Sequence, residues 1–216
     1  MKKGLTELVF IIDRSGSMHG LEKDTVGGFN SMIAEQKNIE GEANITTVLF
    51  DDDYEIFHDR VSLKEIDEMT GSDYYVRGTT ALLDAMGKTI SMMGNIQKNL
   101  PKNKKAEKVL FVITTDGLEN ASREYSVHKV KSMIERQKNK YGWEFIFLGA
   151  NIDAVKTAED MGIGRDRSSN YCADGKGTKL NYDVVCKAVS SYRDCCIINE
   201  DWNESLEKDV EERLKK

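Results

Sequence analysis

Only one proline, Pro101, occurs in the 216 residues. Elsewhere no strand or helix has to accommodate a missing backbone donor. Cysteine is scarce and one-sided. Cys172, Cys186, Cys195 and Cys196 all lie in the last quarter, the last two adjacent. A disulfide-stapled domain spreads its cysteines along the chain, so these read as reduced thiols in or near the core. No CxxC pair marks a zinc site. Long apolar runs are also missing. No stretch approaches the roughly 18 apolar residues of a membrane helix. The opening MKKGLTELVFIID imitates a signal peptide, but its apolar run, Leu8 to Ile12, is too short and no small-residue cleavage site follows. The expectation is a soluble, cytoplasmic protein with no membrane partner. In that setting the Asn-x-Ser/Thr triplets at Asn44, Asn120 and Asn203 carry no glycan. An excess of positive charge is absent too: the formal net charge is −6 and the pI about 5.3. That argues against nucleic acid as a partner.

What is present is an alternation of strand and helix patterns. Leu8 to Ile12 reads as a strand buried on both faces. Leu21, Val26, Phe29, Met32 and Ile33 recur at helical spacing, with Gly27 and Gly28 expected where that helix approaches the sheet. Asn44 to Phe50 and Tyr54 to Val61 read as strands two and three. Asp51, Asp52 and Asp53 lie between them, too few for a helix. They read as a hairpin turn, not as metal ligands. Leu82, Leu83, Met86, Ile90 and Met93 mark the next helix, and Lys108 to Thr114 the fourth strand. A helix on Val127, Val130 and Ile134 leads to a strand at Trp143 to Leu148. Ala154 to Met161 reads as a short helix, Ser169 to Ala173 as a last strand and Tyr182 to Tyr192 as a closing helix. Lys102, Lys104, Lys105 and Lys108 read as a solvated basic loop. No internal repeat is present.

From Asn199 the chain changes character. Trp202, Leu206, Val210 and Leu214 form one thin apolar stripe, flanked by Glu204/Lys208, Glu211/Lys215 and Glu212/Lys216 at i,i+4. We expect a domain over residues 1–198 and a charged helix over 199–216 that docks on it or binds a partner.

Alternating elements imply a doubly wound, mostly parallel α/β sheet with helices on both faces. The expected order is 3-2-1-4-5-6, with strand 3 antiparallel. Ligands bind such sheets at the carboxyl ends of the strands, where the order reverses. Strand one ends there in Asp13, and strand four in Thr114-Thr115-Asp116-Gly117. The loop Asp13-Arg14-Ser15-Gly16-Ser17 adds two hydroxyls, and Gly78-Thr79-Thr80-Ala81-Leu82 delivers a threonine before a helix. All-oxygen donors suit Mg²⁺. A metal held mainly by neutral hydroxyls keeps much of its charge and attracts an outside anion, such as a carboxylate of another protein.

This constellation resembles the von Willebrand factor type A domain and its metal-ion-dependent adhesion site. The pattern DxSxS, a later threonine and a later aspartate is matched by Asp13, Ser15, Ser17, Thr80 and Asp116. Thr79 is an alternative to Thr80, but the longer pattern Gly-x-Thr-x-Leu-x-Asp-Ala fits Gly78 to Ala85 with Thr80. The resemblance covers roughly Leu5 to Arg193 and points to compact intracellular bacterial or phage-like members. It implies the same fold, and Mg²⁺ (with Mn²⁺ or Ca²⁺ as substitutes) held at these five residues directly or through water. It also implies a protein partner whose Asp or Glu completes the shell. Such domains usually act in protein assembly, so the resemblance implies binding and not catalysis. Nothing in the sequence specifies an oligomeric state.

Rival readings are a metal-dependent hydrolase or phosphatase-like enzyme, and a scaffold with an inactive metal site. A haloacid dehalogenase-like phosphatase needs a second carboxylate where Ser15 stands. Neither Gly-x-Ser-x-Gly nor GxxxxGK[ST] occurs. His19 is a lone histidine beside the loop. Asp84 could stabilise the positive end of its helix or support the metal loop. Glu119 and Asn120 could face a ligand or only decorate their loop.

Overall fold

The first strand, β1 (Lys2–Asp13), is buried without a break from Leu5 to Asp13. Its side chains alternate between two cores, as the two-residue period of a strand requires. Leu8, Phe10 and Ile12 face one core with Phe29, Met32, Val185 and Val189. Val9 and Ile11 face the other with Met86, Ile90, Val130 and Ile134. The chain is therefore a sheet between two helical layers, which fixes β1 at the centre. The computed structural model describes residues 1–215.

The order of elements is β1, α1 (Glu22–Lys37), β2 (Glu42–Phe50), β3 (Tyr54–Ser62), α2 (Leu82–Asn99) and β4 (Ala106–Thr115). Then follow α3 (Val127–Tyr141), β5 (Glu144–Gly149), α4 (Ala154–Asp160), β6 (Ser168–Asn170), α5 (Gly175–Cys195) and α6 (Glu204–Leu214). The sheet order is β3-β2-β1-β4-β5-β6. Every pairing is parallel except β2 with β3, as expected. Two register shifts interrupt the β2–β3 pairing, and Arg60 of β3 has φ 50°.

Element ends differ from the apolar patterns where polar residues continue an element. The last strand is Ser168–Asn170, and α5 begins at Gly175, well before Tyr182. Asp174 starts that helix by accepting the Gly177 N–H at 2.8 Å.

The two glycines of α1 face different surroundings. Gly28 lies against α5, not the sheet: a Cβ there would stand 2.3 Å from Tyr182 Cδ2. Gly27 faces open space. Gly28→Ala should therefore cost about 1–3 kcal/mol by overpacking. Gly27→Ala should gain about 0.5–1 kcal/mol by helix propensity. Denaturant midpoints for the two variants would show the opposite signs.

Lys108 does not belong to the basic loop. It is buried, and its Nζ donates to the carbonyls of Arg193 (2.5 Å) and Tyr192 (3.3 Å) near the end of α5. All four cysteines are free, but only Cys186 is buried; Cys195 and Cys196 are exposed. Helix α6 packs on α5 and β6. Leu206 is buried, Trp202 Nε1 donates to the Asp166 carbonyl at 2.9 Å, and Leu214 is left exposed. The Glu204–Lys208 pair forms at 2.6 Å. Glu211 and Lys215 do not pair among the described residues, and Glu212/Lys216 lies outside them. Asp209 instead binds Lys176 at 3.1 Å and Arg213 at 2.8 Å. No helix among the described residues is long and apolar enough to cross a membrane.

Candidate metal-binding site

Strands β1 and β4 are parallel neighbours, with Ile12 beside Thr114. Their carboxyl ends therefore put Asp13 and Asp116 side by side. Both are almost wholly buried, with 0% and 2% exposure. Thr115 Oγ1 donates to Asp13 Oδ2 at 2.6 Å, the Asp116 N–H to the same oxygen at 3.3 Å, and the Ser15 N–H to Asp13 Oδ1 at 2.7 Å. The Tyr74 hydroxyl donates to the Asp13 carbonyl at 2.5 Å.

The hydroxyls come together above these carboxylates. Ser15 Oγ and Ser17 Oγ are 3.1 Å apart, and Thr80 Oγ1 donates to Ser15 Oγ at 3.0 Å. Gly117 closes the ring. A Cβ there would lie 3.0 Å from both Ser17 Oγ and Thr80 Oγ1. The five expected residues thus gather at the carboxyl ends of β1 and β4: the three hydroxyls touch one another, Asp13 is tied to the Ser15 N–H, and Asp116 lies next to Gly117 with its carboxylate accepting from Asn151. Thr80 is the buried threonine; Thr79 is exposed and its N–H donates to Asp52 Oδ1 at 3.3 Å.

Backbone bonds lace the loops into one unit. The Gly16 N–H donates to the Gly78 carbonyl at 3.1 Å, and the Arg77 N–H to the Arg14 carbonyl at 3.0 Å. Gly78 makes this turn with φ 66°, a region costly for a side-chain-bearing residue. The Asn120 N–H donates to the Thr80 carbonyl at 3.0 Å, while Asn120 Oδ1 accepts the Thr80 N–H at 2.9 Å. Asn120 thus positions the threonine.

Charge is poorly balanced at the point of convergence. Arg14 sits between Asp13 and Ser15 in sequence but turns its guanidinium to Asp51 and Glu55. Burial raises the Asp13 pKa despite the hydrogen bonds from Thr115 and Ser15. Asp116 is pushed up to about 6, first by burial and also by the charge of Asp13, with the Asn151 amide opposing. Two carboxylates thus lose hydration with no cationic partner among the described residues, which fits a site for a cation. Among the described residues no group of three His, Cys, Asp or Glu side chains is placed to hold a metal. The donor set here is mainly hydroxyl.

Other nearby residues have supporting roles. The Asp84 carboxylate accepts the N–H groups of Arg123 (2.9 Å), Glu124 (2.9 Å) and Tyr125 (2.8 Å). It ties the loop after β4 to α2, away from the metal loop. Glu119 accepts from the Leu83 N–H at 2.8 Å and from the Ser122 N–H and hydroxyl, both at 2.8 Å. His19 is exposed, with Nδ1 3.4 Å from Glu22. Tyr74, Thr115 and Asn151 were not expected at the site. Of these, Asn151 had a signal: it follows β5, whose carboxyl end lies at the same pole.

No family model and no curated protein matches the sequence. Solved structures do. The von Willebrand factor type A protein from Catenulispora acidiphila aligns over 86% of this chain and 43% of its own, with TM-score 0.57 at 15% identity. The fold is that of a von Willebrand factor type A domain. Proximal thread matrix protein 1 from the mussel byssus, solved with a zinc-occupied MIDAS motif, shares it. Its TM-score is 0.59 at 14% identity, over 87% of this chain and 46% of its own. The pilus adhesin SpaC from Lactobacillus rhamnosus GG gives 0.67 at 11% identity, over 88% and 31%. This chain spans less than half the length of each of these structures. At such identities the likeness establishes the type A fold and leaves the site to be argued from its own residues.

Proposed function

We propose that the chain is a divalent-metal-dependent protein-binding module. Asp13, Ser15, Ser17, Thr80 and Asp116 would hold Mg²⁺, with Mn²⁺ or Ca²⁺ as substitutes. An Asp or Glu of a protein partner would complete the shell. The observation that carries this is the convergence of three hydroxyls on Gly117, beside two buried carboxylates that have no cationic partner among the described residues. The bound ion would supply positive charge at a surface loop. Neutral hydroxyls quench little of that charge, which favours capture of an anion from outside. The zinc-occupied motif of the mussel protein supports metal binding on this fold.

We read the site as a binding device and not a catalyst, because its one sequence-adjacent histidine, His19, is turned to solvent beside Glu22. The four free thiols suit a reducing cytoplasm.

Thermal unfolding in EDTA and in millimolar Mg²⁺ or Mn²⁺ tests the proposal. Metal at about 100 times its Kd adds roughly 2.7 kcal/mol, a rise of a few degrees or more in the wild-type midpoint. Asp13→Ala should lose that rise. Gly117→Ala should lose it while keeping a near-wild-type midpoint in EDTA, because its methyl group enters the hydroxyl ring and little else. A wild type indifferent to metal would favour a scaffold with an inactive site. If metal responds, a pull-down in Mg²⁺ against EDTA should recover the partner only in Mg²⁺.

A further inference from the structure

The opposite pole of the sheet carries a second feature that the metal site does not explain. The later turns of α2 and α3 flank the amino ends of β4 and β5 there. They leave a cavity of about 560 Å³ floored by Ile90, Val109, Met133 and Trp143. Two glycines one heptad apart in α2 show why it is open. A Cβ on Gly87 would stand 2.1 Å from the Tyr125 ring, so that space is filled. Gly94 lines the cavity, and among the described residues a Cβ there would meet within 4 Å only Gln137 Nε2, at 3.3 Å.

The lining is positive in a chain of net charge −6. Lys98, Lys105 and Arg136 surround the cavity. None of them forms an ion pair among the described residues. The one acid in the lining among the described residues, Glu107, is engaged by the Gly4 N–H at 2.7 Å. A half-enclosed space of this size, with an apolar floor and a polar, mostly cationic rim, is a form that suits an amphipathic small molecule.

We propose that this cavity binds a small amphipathic anion, with an aromatic or aliphatic body against Trp143 and Met133 and a carboxylate or sulfonate facing Lys98 and Arg136. The proposal is independent of the metal site, so it is tested in EDTA.

The probe is 8-anilinonaphthalene-1-sulfonate, titrated by fluorescence into the full chain with laurate as competitor. Its uncharged counterpart is N-phenyl-1-naphthylamine. Saturable binding of one sulfonate, displaced by laurate, is expected. The double variant Lys98→Glu/Arg136→Glu changes two exposed side chains and should weaken sulfonate binding roughly tenfold, the sum of two exposed ion contacts turned repulsive. It should leave binding of the neutral probe unchanged. Gly94→Leu should block both probes. Equal effects of charge reversal on both probes, sulfonate binding untouched by it, or no saturable binding at all would each overturn the proposal.

Discussion

Asp51→Ala should lower the folding free energy by about 3–5 kcal/mol, because it strands a buried charge. The Arg14 side chain is fully buried, and its Nε donates to Asp51 Oδ2 at 2.9 Å. Its other partner, Glu55 at 2.6 Å, is 46% exposed and offers a weaker hold. Arg14 Nη2 already lacks a partner among the described residues. Asp51 also binds Arg77 Nε at 2.8 Å and accepts the Asp53 N–H at 2.6 Å. Burial opposes its charge, but Arg77, the Asp53 amide and Arg14 together hold its pKa below the ordinary carboxylate value. A lowered acid pKa contributes stability above the unfolded value of about 4, and that stability is lost as pH falls through the folded value. The Asp51→Ala deficit should therefore be full at pH 7 and shrink in acid. Asp52→Ala, one residue on, removes an exposed carboxylate that among the described residues accepts only the Thr79 N–H at 3.3 Å, and should cost no more than about 1 kcal/mol. Denaturant midpoints of the two variants make the comparison. An Asp51→Ala protein as stable as wild type would show that Arg14 finds compensation elsewhere.

Asp116→Asn should do the reverse: stabilise the metal-free protein and abolish its response to metal. Asp116 is buried beside Asp13, and its pKa stands at about 6. For an acid, a raised folded pKa means that ionisation costs the native state more than the unfolded chain. The cost is fully present above the folded value and vanishes as pH falls toward the unfolded one. At about 1.4 kcal/mol per pKa unit, neutralising the group should gain about 1–3 kcal/mol at pH 7. In EDTA the variant should thus melt above wild type; in Mg²⁺ the order should narrow or invert, because only wild type gains the ligand term. A variant that is less stable in EDTA would show that the carboxylates are well solvated and not poised for a cation.

The site and the sheet were legible because both are written in short patterns. Alternating strand and helix patterns indicate a doubly wound sheet, for which 3-2-1-4-5-6 is the expected order, and a tight loop between Asp13 and Ser17 has to present its oxygens together. Thr80 and Asp116 were legible as residue types at element ends. What could not be read depends on contacts far along the chain. Asp51 looks like any turn aspartate until Arg14 folds beneath it. Gly28 meets Tyr182 only once α5 has packed on α1. Lys108 looks like an extension of the nearby lysines, yet the end of α5 supplies its carbonyl acceptors. Asp84 sits where a carboxylate suits a helix start, and only the returning loop at Arg123 to Tyr125 shows what it holds.

The two rims of the sheet have a bearing on self-association. β6 is only three residues long. β3 breaks register twice and carries Arg60 at φ 50° among the charged neighbours Glu55 and Asp59. A foreign strand needs a straight row of free N–H and C=O groups to extend a sheet, and short, kinked or charged edges deny it one. Both rims are thus shaped against edge-to-edge pairing with a second chain.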